Sequence, residues 1–101
     1  MRNKIKIEPI HPGEILLEEF IRPFKISQYK LAKDTGLPLS RINQIILGKR
    51  IITAETALLL SKYFNLSEEY WLNLQKRYEL EIAKEKLIKR INSVKTITAV
   101  A

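Results

Sequence analysis

The stretch "SQYKLAKDTGLPLSRINQIILGKR", Ser27 to Arg50, sets seven leucines and isoleucines and five basic residues in 24 positions. Ser27 is a good N-cap, because its hydroxyl accepts from an amide of the first turn that has no helical partner. A helix from there runs to about Thr35 and stops at Gly36, which tolerates the left-handed backbone of a C-terminal cap. After Leu37-Pro38 a further helix covers Leu39 to about Leu47 and is closed by Gly48. Two short helices joined by Gly36-Leu37-Pro38 have the length and chemistry of a helix-turn-helix, placed at about residues 27–47.

The offsets within the stretch sort its residues into two faces. Ala32 must be small, because the second helix crosses close to it. Gly36 supplies the turn, and Ile42, helped by Leu31, Leu37 and Ile45, anchors the second helix on a core. With those positions inward, Leu39, Ser40, Asn43, Gln44 and Leu47 must face outward. Asn43 and Gln44 are of a kind to bond adenine bidentately, and Arg41 reaches guanine or phosphate if its orientation allows. Ser27, Gln28, Tyr29 and Lys30 lie at the start of the first helix, where side chains and amides commonly grip phosphate. Lys49 and Arg50 leave the second helix beside the DNA backbone. The alternative is a helical hairpin whose polar residues are merely solvated.

Outward from this stretch the helical punctuation continues. His11-Pro12-Gly13-Glu14 opens a helix, since Pro has no amide hydrogen to lose in a first turn and Glu14 complements the helix dipole. Ile15, Leu16, Phe20 and Ile21 recur at helical spacing, and Pro23 is expected to end the segment. Thr53 is expected to cap "AETALLLSKYF", which Asn65 can terminate. Ser67 is expected to cap a last helix, with Glu68 and Glu69 in its first turn. That pattern persists to about Ile91, with Trp71, Leu74, Tyr78 and Ile82 on one stripe and Leu80, Leu87 and Ile91 on another. Only "KIKIEPI" and "SVKTITAVA" have strand character. The expectation is an all-α domain of about five helices with an extended C-terminal helix. Residues 1–10 form an N-terminal arm, 11–83 the helix-turn-helix domain and 84–101 a basic extension and tail.

Charge is distributed unevenly. Of the net +7, residues 22–50 hold seven basic residues against Asp34 alone, and residues 84–101 hold five against Glu85 alone. The remaining segments are mildly acidic. Such clustering concentrates polyanions, nucleic acid above all. At 101 residues, 46% hydrophobic and 29% charged, the chain is one globular domain. The absence of cysteine excludes a disulfide framework and fits a reducing interior. No apolar run approaches the roughly 20 residues of a membrane span, and the start lacks the apolar segment of a signal peptide, so a cytoplasmic location is expected.

Four segments together resemble a known family: "HPGEILLEEFIRP" (His11–Pro23), the opening stretch, "ITAETALLLSKYF" (Ile52–Phe64) and "SEEYWLNLQKRYEL" (Ser67–Leu80). They are similar to the HigA (VapI-like) plasmid-maintenance and addiction-module antitoxins, of the Cro/λ-repressor-type (XRE) helix-turn-helix group. The resemblance covers roughly Ile10 to Ala83. It implies a five-helix λ-repressor-like fold and a homodimer on a palindromic double-stranded operator. It also implies autorepression and neutralisation of a RelE/HigB-like ribosome-dependent mRNA-cleaving toxin. No cofactor is expected. Pro38 departs from the capping Ser or Thr that many helix-turn-helix proteins place there.

Other readings compete. An enzyme would need more than the single His11 near Glu14 and Glu18, for no second His, no Cys, no phosphate-cradling glycine loop and no nucleophile elbow accompany it. A His before a helix-starting Pro reads better as a capping or packing residue. Trp71 and Leu74 are expected to fill a core, while Tyr70 or Tyr78 remain available to a dimer. Glu14, Glu18 and Glu19 share one helix and are the candidate contacts for a basic toxin, although solvated helix charge is the simpler reading. The basic tail extends the last helix, assists dimerisation or touches phosphate; it lacks the aromatic anchor of a membrane-surface helix. A stand-alone dimeric repressor of the same fold, with no toxin partner, is the main alternative.

Overall fold

The computed structural model describes residues 8–98, so the alternating residues 4–7 and the last three residues of the tail lie outside it. Among the described residues all regular structure is helical, in five successive segments. The first, α1, covers residues 12–24. Pro12–Ile15 is α-helical, Leu16–Ile21 takes the wider π form, and Arg22–Phe24 returns to α. It is followed by α2 (Gln28–Thr35), α3 (Leu39–Ile46), α4 (Ala54–Phe64) and α5 (Tyr70–Ser93).

Two breaks in the expected pattern have local causes. Pro23 does not end α1. The residue has no amide hydrogen to return to the preceding turn, and the helix accommodates it by widening, so that the Arg22 N–H donates to the Leu17 carbonyl. The helix ends instead at Lys25, whose φ of 57° is left-handed, with its N–H donating to the Arg22 carbonyl at 3.0 Å and the Ile26 N–H to the Ile21 carbonyl at 3.2 Å. Nor does Ser67 cap α5. Residues 67–69 form a turn whose Ser67 carbonyl accepts from the Tyr70 N–H at 3.2 Å, so Glu68 and Glu69 precede the helix. Thr53 does precede α4, but its hydroxyl lies 3.5 Å from that of Thr56 and caps no amide.

The core forms where the helices converge. Leu16 and Ile21 of α1, Leu31 and Ala32 of α2, Ile42 and Ile45 of α3, Ala57 and Leu60 of α4, and Trp71 of α5 are all buried. Leu37 in the turn and Ile52 before α4 complete it. Trp71 is fully buried, with Phe20 at 5.1 Å and Tyr70 at 5.2 Å between ring centroids. This is the core role expected of it, and burying such a ring stabilises the fold by about 3 kcal/mol.

Only the first half of α5 joins this core. Trp71, Leu74, Gln75, Tyr78 and Ile82 face inward, whereas Leu87, Ile88 and Ile91 are exposed. The molecule therefore measures 56 × 34 × 23 Å, and its radius of gyration of 17.2 Å exceeds the roughly 13 Å of a compact domain this size. Long as α5 is, no helix among the described residues is long and apolar enough to cross a membrane.

Candidate nucleic-acid interface

The pair α2–α3 owes its geometry to three local devices. Ser27 Oγ accepts from the Lys30 N–H at 2.9 Å and so starts α2. Gly36, at φ 80°, ends it and turns the chain, a conformation that costs a side-chain-bearing residue about 1 kcal/mol or more. Thr35 Oγ1 donates to the Leu31 carbonyl at 2.7 Å and lies 3.3 Å from the Leu37 N–H, tying the turn to the end of α2. Pro38 then enters α3 without a side-chain cap. Its carbonyl accepts from the Arg41 and Ile42 amides at 3.0 and 3.2 Å.

With Ile42 and Ile45 fully buried, the opposite face of α3 is open. Leu39, Ser40, Asn43, Gln44 and Leu47 are all exposed, as the spacing requires. This leaves a convex helix face with two amide side chains at its centre and apolar residues at both ends. Ser27, Tyr29 and Lys30 are exposed at the start of α2, Gln28 is half-buried there, and Lys49 and Arg50 are exposed just beyond α3. The candidate residues thus fall into three groups: the open face of α3, the entry to α2 and the exit from α3.

Arg41 stands apart from them. It is half-buried on the flank of α3, with Nη1 4.0 Å from Glu55 Oε1 at the start of α4. Lys30 is also engaged, with Nζ 2.9 Å from Asp34 Oδ2, and the Tyr63 hydroxyl of α4 donates to the same oxygen at 2.7 Å. The Lys30 ammonium and then the Tyr63 hydroxyl hold Asp34 below the usual carboxylate range, and Asp34 in turn raises Lys30. The Lys30–Asp34 pair follows from its one-turn spacing, but the Tyr63 anchor was not legible in the sequence, where Asp34 and Tyr63 are 29 residues apart.

Three further residues place α3, and sequence reasoning assigned none of them that task. A Cβ on Gly13 would stand 1.8 Å from the Ile45 carbonyl oxygen, so the start of α1 rests directly on the backbone of α3. His11 caps α1 through Nδ1, which accepts from the Gly13 N–H at 2.8 Å. Its ring lies edge-on to Tyr78 of α5 at 4.9 Å and beside Gly48, just past α3. Desolvation lowers its pKa from 6.5. Gln75, buried on α5, accepts from the Ile52 N–H at 2.9 Å through Oε1 and donates to Glu79 through Nε2. It thereby fixes the segment that carries Lys49 and Arg50. A polar residue on the same stripe as Trp71 was the available signal for Gln75.

The acidic candidates of α1 are opposite in charge to the cations around α2 and α3. Glu14, Glu18 and Glu19 are exposed, Glu18 Oε2 pairs with Arg22 Nε at 3.3 Å, and burial, followed by the charge of Glu19, raises the pKa of Tyr70.

The architecture has close counterparts. The helix-turn-helix family profile matches residues 17–71. Virulence-associated protein I of Dichelobacter nodosus is 45% identical over 82 residues, covering 81% of this chain and 76% of that protein. A solved addiction-module antidote protein of a HigA family from Coxiella burnetii is 44% identical, with a TM-score of 0.83 over 91% of this chain and all of that one. The Pseudomonas aeruginosa antitoxin HigA, solved with the higBA promoter, is 37% identical, with a TM-score of 0.84 over 90% of this chain and all of that one.

Proposed function

The chain belongs to the HigA family of helix-turn-helix proteins, and from that membership we propose that it is an antitoxin that represses its own promoter. In this reading it binds a palindromic operator as a homodimer and neutralises a RelE/HigB-like mRNA-cleaving toxin. The observation that carries the DNA-binding part is the open face of α3. Its buried side is wholly aliphatic, and its exposed side presents Asn43 and Gln44 between apolar ends, with the cations Lys49 and Arg50 just beyond it. A helix so mounted fits the major groove, where amide side chains discriminate adenine. The relative solved with promoter DNA supports the same use of the fold.

The two-fold arrangement draws on the distal half of α5. Leu87, Ile88 and Ile91 are exposed along it, and Leu80 just before it, more apolar surface than a solvated helix needs. For the toxin, the support is the exposed acidic edge of α1, suited to a basic protein that binds RNA.

Co-expression with the neighbouring short reading frame, followed by size-exclusion chromatography and a growth test, decides the toxin part. A stable complex, with growth arrest when this chain is omitted, is the expected result. No complex and no toxicity would leave a stand-alone dimeric repressor.

A further inference from the structure

Between Glu19 and Glu68 the chain has only two acidic residues, Asp34 and Glu55. Both sit on the basic surface around α2 and α3, and each holds one of the candidate DNA-contacting cations. Their circumstances differ. Asp34 pairs with Lys30 one turn away on the same helix at 2.9 Å and is anchored from α4 by the Tyr63 hydroxyl at 2.7 Å. This carboxylate is fixed, and it fixes Lys30 with it. Glu55 reaches between helices to Arg41 at 4.0 Å, with its side chain 75% exposed against 27% for the arginine. Removing Glu55 would leave its position on α4 solvated; removing its partner would cost little. Such a carboxylate is free to swing away.

The surroundings of the pair are cationic and concave. A cavity of about 600 Å³ lies elsewhere, between residues 8–10 and α5. The smaller one beside α3, about 220 Å³, is lined by Arg41, Arg50, Ile51, Thr53, Glu55 and Thr56. Two guanidinium groups and two threonines thus surround one carboxylate next to the reading helix. Arg41 is long enough to serve either Glu55 or a phosphate, and not both.

We propose that Glu55 is a displaceable internal counter-ion for Arg41, held against it in the free protein and replaced by a DNA phosphate on binding. The carboxylate therefore lowers affinity for DNA by the free energy of the pair it must surrender. It does so through Arg41 and not merely as a negative charge near DNA. This rests on the DNA-binding role proposed above for α3.

The test measures the affinity of four full-length proteins for a duplex carrying the promoter upstream of this chain's gene, and for a random duplex, at one fixed salt concentration. The proteins are the parent, Glu55→Gln, Arg41→Gln and the double variant. Exposed ion pairs of this kind correspond to about a two- to fivefold change in binding constant. Glu55→Gln is expected to bind DNA about two- to fivefold more tightly than the parent, and the gain is expected to vanish in the Arg41→Gln background. An equal gain with and without Arg41 would overturn the proposal, leaving Glu55 as a general repulsive charge. Unchanged or weaker binding by Glu55→Gln would also overturn it, provided circular dichroism shows the variant folded; the exposed side chain makes that the expected state. If the parent itself binds neither duplex, the DNA-binding reading of α3 fails first, and that result is distinct from the others.

Discussion

At the scale of single residues, the position of α3 depends on atoms that lie outside its open face. Gly13 is the clearest case. Replacing it with Ala would put a methyl group 1.8 Å from the Ile45 carbonyl oxygen, a backbone atom that no side-chain rotation can move aside. Overpacking of this sort costs about 1–3 kcal/mol or more, so Gly13→Ala is expected to lower the urea midpoint markedly and to weaken DNA binding by displacing α3. His11 beside it gives a pH dependence. Its neutral Nδ1 must accept from Gly13, and desolvation, with Tyr78 against the ring, lowers its pKa from 6.5. Below about pH 6.5 the unfolded chain takes up the proton more readily than the folded one, so stability falls as the pH falls through the folded value. Urea titrations between pH 7.5 and 5 should show this loss, and His11→Asn, which keeps a capping acceptor, should lose most of that slope.

At the scale of elements, α3 has a buried side that sets its pose and an open side that reads bases in the proposed function. Asn43→Ala or Gln44→Ala is expected to cost about 1–3 kcal/mol on the operator and much less on random duplex, as competition binding would measure. Lys49→Ala should weaken both alike and reduce the salt slope by about one unit. Equal losses on the two duplexes for Gln44→Ala would remove it from the base-reading face. The division between these faces was legible in the sequence, because Ala32, Gly36, Ile42 and Ile45 leave no other orientation for residues 39, 40, 43, 44 and 47. Helix ends were less legible. Pro23 and Ser67 carry the usual stop and start signals, yet a widened turn absorbed the first, and a preceding turn left the second outside its helix.

At the scale of the molecule, the protruding half of α5 is the part that one chain cannot satisfy. Leu87 and Ile91 are exposed on a helix of 24 residues, about 36 Å long, whose other half is in the core. Leu87→Glu is expected to convert a dimer to monomers in sedimentation experiments while leaving the thermal unfolding of the core nearly unchanged. It should also weaken operator binding far more than random binding, because only the operator requires two reading helices about 34–36 Å apart. A dimer unaffected by Leu87→Glu would place the two-fold seam elsewhere.

Composition, helical spacing and turn residues were enough to read five helices, the turn at Gly36 and the outward face of α3, since each depends on residues within about seven positions of one another. The contacts that aim and restrain that face were not readable in this way. Gly13 against Ile45, Gln75 against Ile52, Tyr63 against Asp34 and Glu55 against Arg41 join residues far apart in the chain. Nothing local distinguishes a glutamate that holds an arginine from one that faces water. Only the packing of α1, α4 and α5 around α3 brings these groups within reach, and that packing decides which cations of the basic surface are held and which are open.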